Sequence, residues 1–367
     1  MSISNRIYRT YGTRKTCQTA LAAGLAAIVL ALPARAWSEE KVNDRDIDRT
    51  ISRGLDWLAS RQSRLGHWTA PNGMFPTAIT ALSATALLSE GSTTMQGKYK
   101  SNIQLAVKFL VSRSNKNGLI GARDDDKYTY GHGFSMLFLS QVLGEEEDVE
   151  RRDELIDVLT RAVKFTGQAQ TVAGGWGYVS AKDGGGFDEG STTITQVQGL
   201  RGCRNAGIPV PKEIIDKAVK YIRKCTGPDG GVAYNSNGGG GHPPITAAAI
   251  ACLFNAGEYD AKEGDKEKIQ AVRKMLAYCQ QNLGASGGGN NLNFGHWHYA
   301  NYYYSQVLYR EGGDKWKTYR KEMYARLVHE ANADGFWEQG YMGAAYTTAM
   351  NLTILQLDRG TLPIYQR

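Results

Sequence analysis

An apolar residue stands nine positions before a glycine again and again along this chain, at Trp57/Gly66, Phe109/Gly118, Phe165/Gly174, Tyr221/Gly230 and Met275/Gly284. A sixth glycine, Gly335, follows in register, although Arg326 holds the apolar position there and Leu327 must substitute. Successive glycines lie 52, 56, 56, 54 and 51 residues apart. A near-constant period of this length marks one supersecondary unit copied in tandem, which buries its apolar surface only against its neighbours.

Each unit reads as two unlike helices. The first is amphipathic. In Lys212–Cys225, residues Ile214, Ala218, Tyr221, Ile222 and Cys225 share one stripe, while Lys212, Glu213, Asp216, Lys217, Lys220 and Lys224 cover the other side. The second helix carries almost no charge, as in Thr77–Leu88, Phe134–Leu143, Thr192–Leu200, Ile245–Phe254 and Tyr346–Leu357. A helix without a charged face has no side suited to bulk water, so it belongs inside. Two concentric layers follow, charged helices outside and uncharged ones within. The expected fold is all-α, a single α/α toroid (an α6/α6 barrel) of six two-helix repeats. An open α-superhelix is the competing arrangement. Gly91, Gly207, Gly257 and Gly312 stand where helix-ending glycines would follow the inner helices.

The chain is expected to divide into a signal peptide at 1–36, a linker at 37–47, the toroid at 48–358 and a tail at 359–367. Arg6, Arg9, Arg14 and Lys15 precede an uncharged stretch, Ala20–Leu32, and Ala34-Arg35-Ala36 has the small-x-small form of a cleavage site. Thirteen residues are short for a membrane span, though an uncleaved anchor is the other reading. The expected location is therefore periplasmic or secreted. Without the five basic residues of the leader, the 43 basic residues fall to 38 against 36 acidic ones. That near-balance argues against a nucleic-acid partner. Cys203, Cys225, Cys252 and Cys279 form no CxxC pair and read as packed thiols rather than a zinc site.

Gly174–Tyr178 (Gly-Gly-Trp-Gly-Tyr), Asp229–Tyr234 (Asp-Gly-Gly-Val-Ala-Tyr) and Asp334–Glu338 (Asp-Gly-Phe-Trp-Glu), with the shorter Gly66-His67-Trp68, each lead into a Thr/Ala-rich helix. These turns resemble the repeats of prenyltransferases and squalene oxidases, and the likeness to the terpenoid-cyclase and protein-prenyltransferase superfamily spans Asp48–Leu357. It implies an α/α toroid and an apolar polyprenyl or terpenoid ligand in a central cavity. The chemistry of the family is not carried over. The protonating Asp-x-Asp-Asp motif of squalene-hopene cyclases has no counterpart in Asp124-Asp125-Asp126-Lys127, and the Asp-x-Cys zinc pair of the prenyltransferases is missing.

Chemistry is expected in the loops between each repeat glycine and the following inner helix, where helix N-termini converge and favour anions. Asp126, His132, Asp188 and His242 are the catalytic candidates there, with Tyr130, Glu189, Trp297, His298 and Tyr303 as substrate-binding candidates. Asp188 and Glu189 also suit a helix cap ahead of Ser191-Thr192, and Asp124–Asp126 suits a solvated loop. His296-x-His298 lacks an identifiable third ligand, so no metal is assigned. No motif calls for a cofactor or a particular partner protein. Three functions fit: an apolar-ligand protein of terpenoid type, placed first; a carbohydrate-active toroid enzyme, a polysaccharide lyase or hydrolase; and a non-catalytic binding scaffold. A dry cavity of Phe, Tyr and Leu would favour the first. An open cleft with Arg, His and exposed Trp would favour the second, and a centre filled by side chains would leave surface binding alone.

Overall fold

A computed structural model describes residues 42–122, 125, 127–184, 186–257, 266–283 and 294–366. The expected leader, the first part of the linker, Asp126 and the fifth repeat glycine Gly284 lie outside the described residues.

The helices come in pairs, an outer one and then an inner one. They are α1 (Asp44–Ser60) with α2 (Pro76–Leu88); α3 (Lys100–Ser112) with α4 (Tyr128–Glu145); and α5 (Val149–Ala169) with α7 (Gly190–Asn205), the single turn α6 (Ala181–Gly184) lying between. The series continues with α8 (Lys212–Cys225) and α9 (Pro243–Ala256), α10 (Lys266–Asn282) and α11 (Phe294–Glu311), and α12 (Gly313–Glu330) and α13 (Gly343–Leu355). Inner helices are buried almost around their whole circumference: in α2 every residue from Thr77 to Leu88 is buried, and in α9 every residue from Ile245 to Asn255. Each inner helix packs on the next, α2 on α4, α4 on α7, α7 on α9, α9 on α11 and α11 on α13, and α13 returns to α2. The ring is closed. Among the described residues no helix is long and apolar enough to cross a membrane.

The repeat turns explain the spacing seen in the sequence. In five repeats the same pair of backbone bonds forms: Gly66 N–H donates to Ser63 O at 2.9 Å and Ser63 N–H to His67 O at 2.9 Å, with matching bonds at Asn115–Leu119, Thr171–Gly175, Gly227–Gly231 and Asn332–Phe336. Gly66, Gly118, Gly174, Gly230 and Gly335 all adopt positive φ, between 88° and 101°. A Cβ on Gly118 would lie 2.1 Å from the carbonyl oxygen of Arg161 on the next outer helix, and one on Gly335 would lie 2.5 Å from Arg53 Cβ. Glycine is needed for both conformation and close approach.

The apolar residue nine positions before each glycine receives the turn of the preceding repeat. His67 packs on Phe109 with ring centroids 4.8 Å apart, Gly175 lies against Tyr221, and Phe336 stacks on Trp57 at 4.4 Å, joining the last repeat to the first. The turn tryptophans have one job in three repeats. Trp68, Trp176 and Trp337 donate their indole N–H to Leu58 O, Thr166 O and Leu327 O at 2.7, 2.8 and 3.0 Å. Their backbone N–H groups donate to Thr80, Thr193 and Thr348 hydroxyls on the inner helix, as Val232 N–H does to Thr246. A buried Trp that finds a partner for its N–H is a strong local staple.

Side chains bridge the hub. Although α7 and α11 are not neighbours in the ring, Gln198 Nε2 donates to Gln306 Oε1 across it at 2.7 Å, and Tyr299 donates to Ser191 O at 3.2 Å. Glycines bring α4 and α7 together: a Cβ on Gly133 would lie 2.7 Å from Thr195, and one on Gly199 would lie 2.8 Å from the Gly133 carbonyl. The end of the chain, expected as a tail, is packed at the opposite mouth. There Ile364 and Tyr365 are buried, Ile364 N–H donates to Gln141 Oε1 at 3.2 Å, and the Tyr365 and Tyr302 hydroxyls meet at 2.7 Å. Among the described residues Cys203, Cys225, Cys252 and Cys279 are buried free thiols.

Candidate functional site

The N-terminal ends of the inner helices meet at one mouth of the hub, and the side chains there form a connected group around Glu189. The Glu189 backbone bonds to the third turn, its N–H donating to Trp176 O at 3.0 Å, and its side chain caps α7 by accepting from Ser191 N–H at 2.8 Å and Thr192 N–H at 2.6 Å. The Ser191 hydroxyl donates to Glu189 Oε2 at 2.6 Å. From α4, the Tyr130 hydroxyl reaches both Glu189 Oε1, at 3.2 Å, and Ser191 Oγ. Tyr299, on α11, closes the group from across the hub through Ser191 O.

Glu189 is fully buried, with 0% of its surface exposed. Burial pushes its carboxyl above the usual carboxylate range, although the Ser191 and Thr192 hydrogen bonds pull the other way. Burial, then the neighbouring Glu189 carboxylate, pushes the Tyr130 hydroxyl well above the ordinary phenol value. A tyrosine so placed keeps its proton and offers it as a hydrogen bond to Glu189. Burial thus raises the proton affinity of one carboxyl in a water-poor setting, the property that general-acid chemistry draws on.

Tyr178 and Tyr234 complete the wall. Each stands four residues after its repeat glycine, and their hydroxyls hydrogen-bond to each other. Their carbonyls hold the inner-helix starts in place: Thr129 N–H donates to Tyr178 O at 3.2 Å and Gly190 N–H to Tyr234 O at 3.0 Å. Tyr130 faces Tyr178 with ring centroids 6.0 Å apart, and Lys127 Nζ sits 4.3 Å from the Tyr178 ring centre. His242 is exposed at the start of α9, with its ring 5.9 Å from Tyr234.

The residues singled out from the sequence therefore separate. Tyr130 and Glu189 meet, His242 stands on the rim beside them, and Tyr303 lies deeper in the hub with its ring 4.9 Å from Tyr299. Four others sit elsewhere. His132 is buried in the frame: its Nδ1 accepts from Ile120 N–H at 3.1 Å, the bond that threonine makes in four other turns, so its Nε2 carries the proton toward Thr166 Oγ1 at 3.0 Å. Asp188 points away from the Tyr130 group and pins the glycine-rich loop, accepting from Ser236 N–H at 2.9 Å and from the Ser236 hydroxyl at 2.8 Å. Trp297 packs toward the outer layer under Arg326, 4.2 Å from its ring centre, and His298 bonds Asn351 Oδ1 at 3.1 Å. Asp126 lies outside the described residues. Sequence reasoning passed over Tyr178, Tyr234, Ser191 and Tyr299. Aligning the repeats on their glycines would have exposed the first two, because that register places Ala70, Ala122 and Gln339 opposite Tyr178 and Tyr234.

Comparison with known proteins bears on the architecture. No protein-family model and no curated protein matches the sequence. Among solved structures, the α-1,6-mannanase of a Salegentibacter species is similar at a TM-score of 0.62 with 11% identity, covering 86% of this chain and 99% of that one. The unsaturated glucuronyl hydrolase of a Bacillus species, which degrades glycosaminoglycan, follows at 0.60 with 14% identity, covering 87% and 99%. A type II terpene cyclase from Scytonema is similar at 0.57 with 14% identity, covering 88% and 100%. This is the α/α-toroid fold. At such identities the likeness fixes the fold and leaves the chemistry to the residues, and it joins terpene cyclases and glycosidases alike.

Proposed function

We propose that this toroid binds a glycan at its tyrosine-lined mouth and cleaves it by acid-assisted hydrolysis. The observation that carries the reading is the buried Glu189, its carboxyl pushed above the usual range by burial and joined to Tyr130 and Ser191 at a mouth walled by hydroxyl groups. The polar bonds that cross the hub, Gln198 to Gln306 and Tyr299 to Ser191 O, argue against a polyprenyl ligand, which needs a dry pocket of its own length. A ring of tyrosine hydroxyls suits a ligand that presents many hydroxyls of its own. Two of the similar toroids, the mannanase and the glucuronyl hydrolase, act on sugars. In the proposed step the proton held by Glu189 passes through the Tyr130 hydroxyl to the leaving glycosidic oxygen. The anomeric C–O bond breaks, a water oxygen bonds to that carbon, and the water's proton goes to His242, the exposed base of the rim.

The test is a panel of oligosaccharides assayed for new reducing ends. Glu189→Gln keeps one oxygen for the Thr192 N–H bond, gives up the Ser191 N–H bond made by the other oxygen, and removes the acid, so turnover should fall at least about a hundredfold while the lost cap bond costs about 1 kcal/mol of stability. Tyr130→Phe should cost on the order of tenfold. Full activity in Glu189→Gln, or binding of a polyprenyl chain in preference to every sugar, would end this reading.

A further inference from the structure

Large apolar side chains left in water are few on this surface, and three of them stand at the same mouth: Met74, Phe187 and Tyr341, with 46%, 41% and 68% of their surface exposed. Single exposed hydrophobes need no explanation, whereas a group around one opening marks a place where something binds. Their positions in the ring are informative. Phe187 precedes α7 and packs on Tyr178 with ring centroids 5.5 Å apart, two residues before Glu189. Tyr341 precedes α13, which lies opposite α7 in the ring order, and it falls within electrostatic reach of Tyr178, Tyr234 and Tyr346. Gly340 and Gly343, with φ of 100° and 82°, bracket Tyr341 and set the backbone that carries its ring out over the opening. Met74 lies on the neighbouring loop, whose Pro71 touches Gly343 and whose Phe75 is held at φ 52°, a strained value for a residue other than glycine.

We infer that the ligand is a chain of at least two sugar rings laid across the mouth, one ring stacked on Phe187 beside the acid and another on Tyr341 at the far side. This rests on the glycan reading above and specifies its substrate as oligomeric. Phe187 leads into the helix that follows Glu189, and the exposed face of Tyr341 belongs to the opposed repeat, so each platform takes its own ring. Aromatic faces bind the C–H face of a sugar, while its edge hydroxyls meet Tyr178, Tyr234 and Ser191 between the two platforms. A lipid surface would find no use for that hydroxyl wall.

Isothermal titration of the full chain with mono-, di-, tetra- and hexasaccharides of mannose, glucose and glucuronic acid tests the inference. Affinity should rise about tenfold or more from mono- to tetrasaccharide in whichever series binds. Tyr341→Ala should weaken the tetrasaccharide about five- to tenfold and leave the monosaccharide within about twofold, whereas Phe187→Ala should weaken both. Tyr341→Phe should retain tetrasaccharide affinity, because the ring face is kept. Both positions are exposed, so unchanged melting temperatures are expected. Equal affinity for one ring and four, or no effect of Tyr341→Ala, overturns the two-ring site and leaves the glycan reading standing. Failure of every series to bind overturns the glycan reading itself.

Discussion

Ring closure at Gly335 can be tested by adding one carbon atom. In Gly335→Ala the new Cβ would stand 2.5 Å from Arg53 Cβ and 2.7 Å from the Gly54 nitrogen, both on α1, so the last turn and the first helix would have to part. The residue also sits at φ 89°, where an L side chain is strained. That conformational part costs about 1 kcal/mol. Displacing packed backbone adds about 1 to 3 kcal/mol, and loosening the Trp57–Phe336 stack, centred at 4.4 Å, adds up to about 1 kcal/mol. The expected loss is therefore about 2 to 5 kcal/mol in equilibrium urea unfolding. Gly73→Ala is the matched control: φ is 75°, and nothing lies within 4 Å of its would-be Cβ. It should cost only the conformational part, about 1 kcal/mol. If Gly335→Ala proves no more destabilising than Gly73→Ala, the sixth turn is not pressed against α1, and the closed ring must be given up for an open superhelix.

Two further outcomes follow from the frame. Burial holds His132 down to about 3 and His298 down to about 4, so between those values and the ordinary histidine range near 6.5 the unfolded chain binds protons that the folded one does not. Their contribution is complete above about pH 6.5 and is lost as pH falls, by about 1.4 kcal/mol per pH unit for each histidine. His132→Thr, the residue used at that place in four other repeats, should therefore flatten the fall in melting temperature between pH 7 and 4; an unchanged slope would mean that His132 titrates freely. At the opposite mouth, Tyr365→Ala should cost about 3 to 5 kcal/mol and Tyr365→Phe about 1 kcal/mol. A neutral Tyr365→Ala in thermal unfolding would show that the chain end does not seal the hub.

Why the architecture could be read and the site could not comes down to what repeats and what does not. Charge-free helices alternating with amphipathic ones are a statement about water, and the fold obeys it: Ile245–Phe254 lies wholly inside, while α8 keeps Lys212, Asp216 and Lys220 outside. The glycine spacing was legible because the same backbone reversal is needed at every junction, whatever the chain does for a living. Function breaks the repeat. His132 attracted notice as a histidine near a helix start, yet it occupies the threonine position of the repeat, and its chemistry is spent on Ile120 N–H and Thr166. Tyr178 and Tyr234 drew no notice as tyrosines, yet at their register position other repeats carry Ala70 and Ala122, and here the two hydroxyls meet at the mouth. A residue type says little in a repeat protein until it is compared with its equivalents in the other copies. Where the copies agree, the position carries the frame; where adjoining copies depart together, as these two tyrosines do, the departure marks the surface that a ligand must meet. By that measure Glu189 stands where α4 and α7 meet, its carboxyl accepting from Tyr130 and Ser191 while Tyr299 of α11 bonds the Ser191 carbonyl, and burial pushes that carboxyl above the usual range.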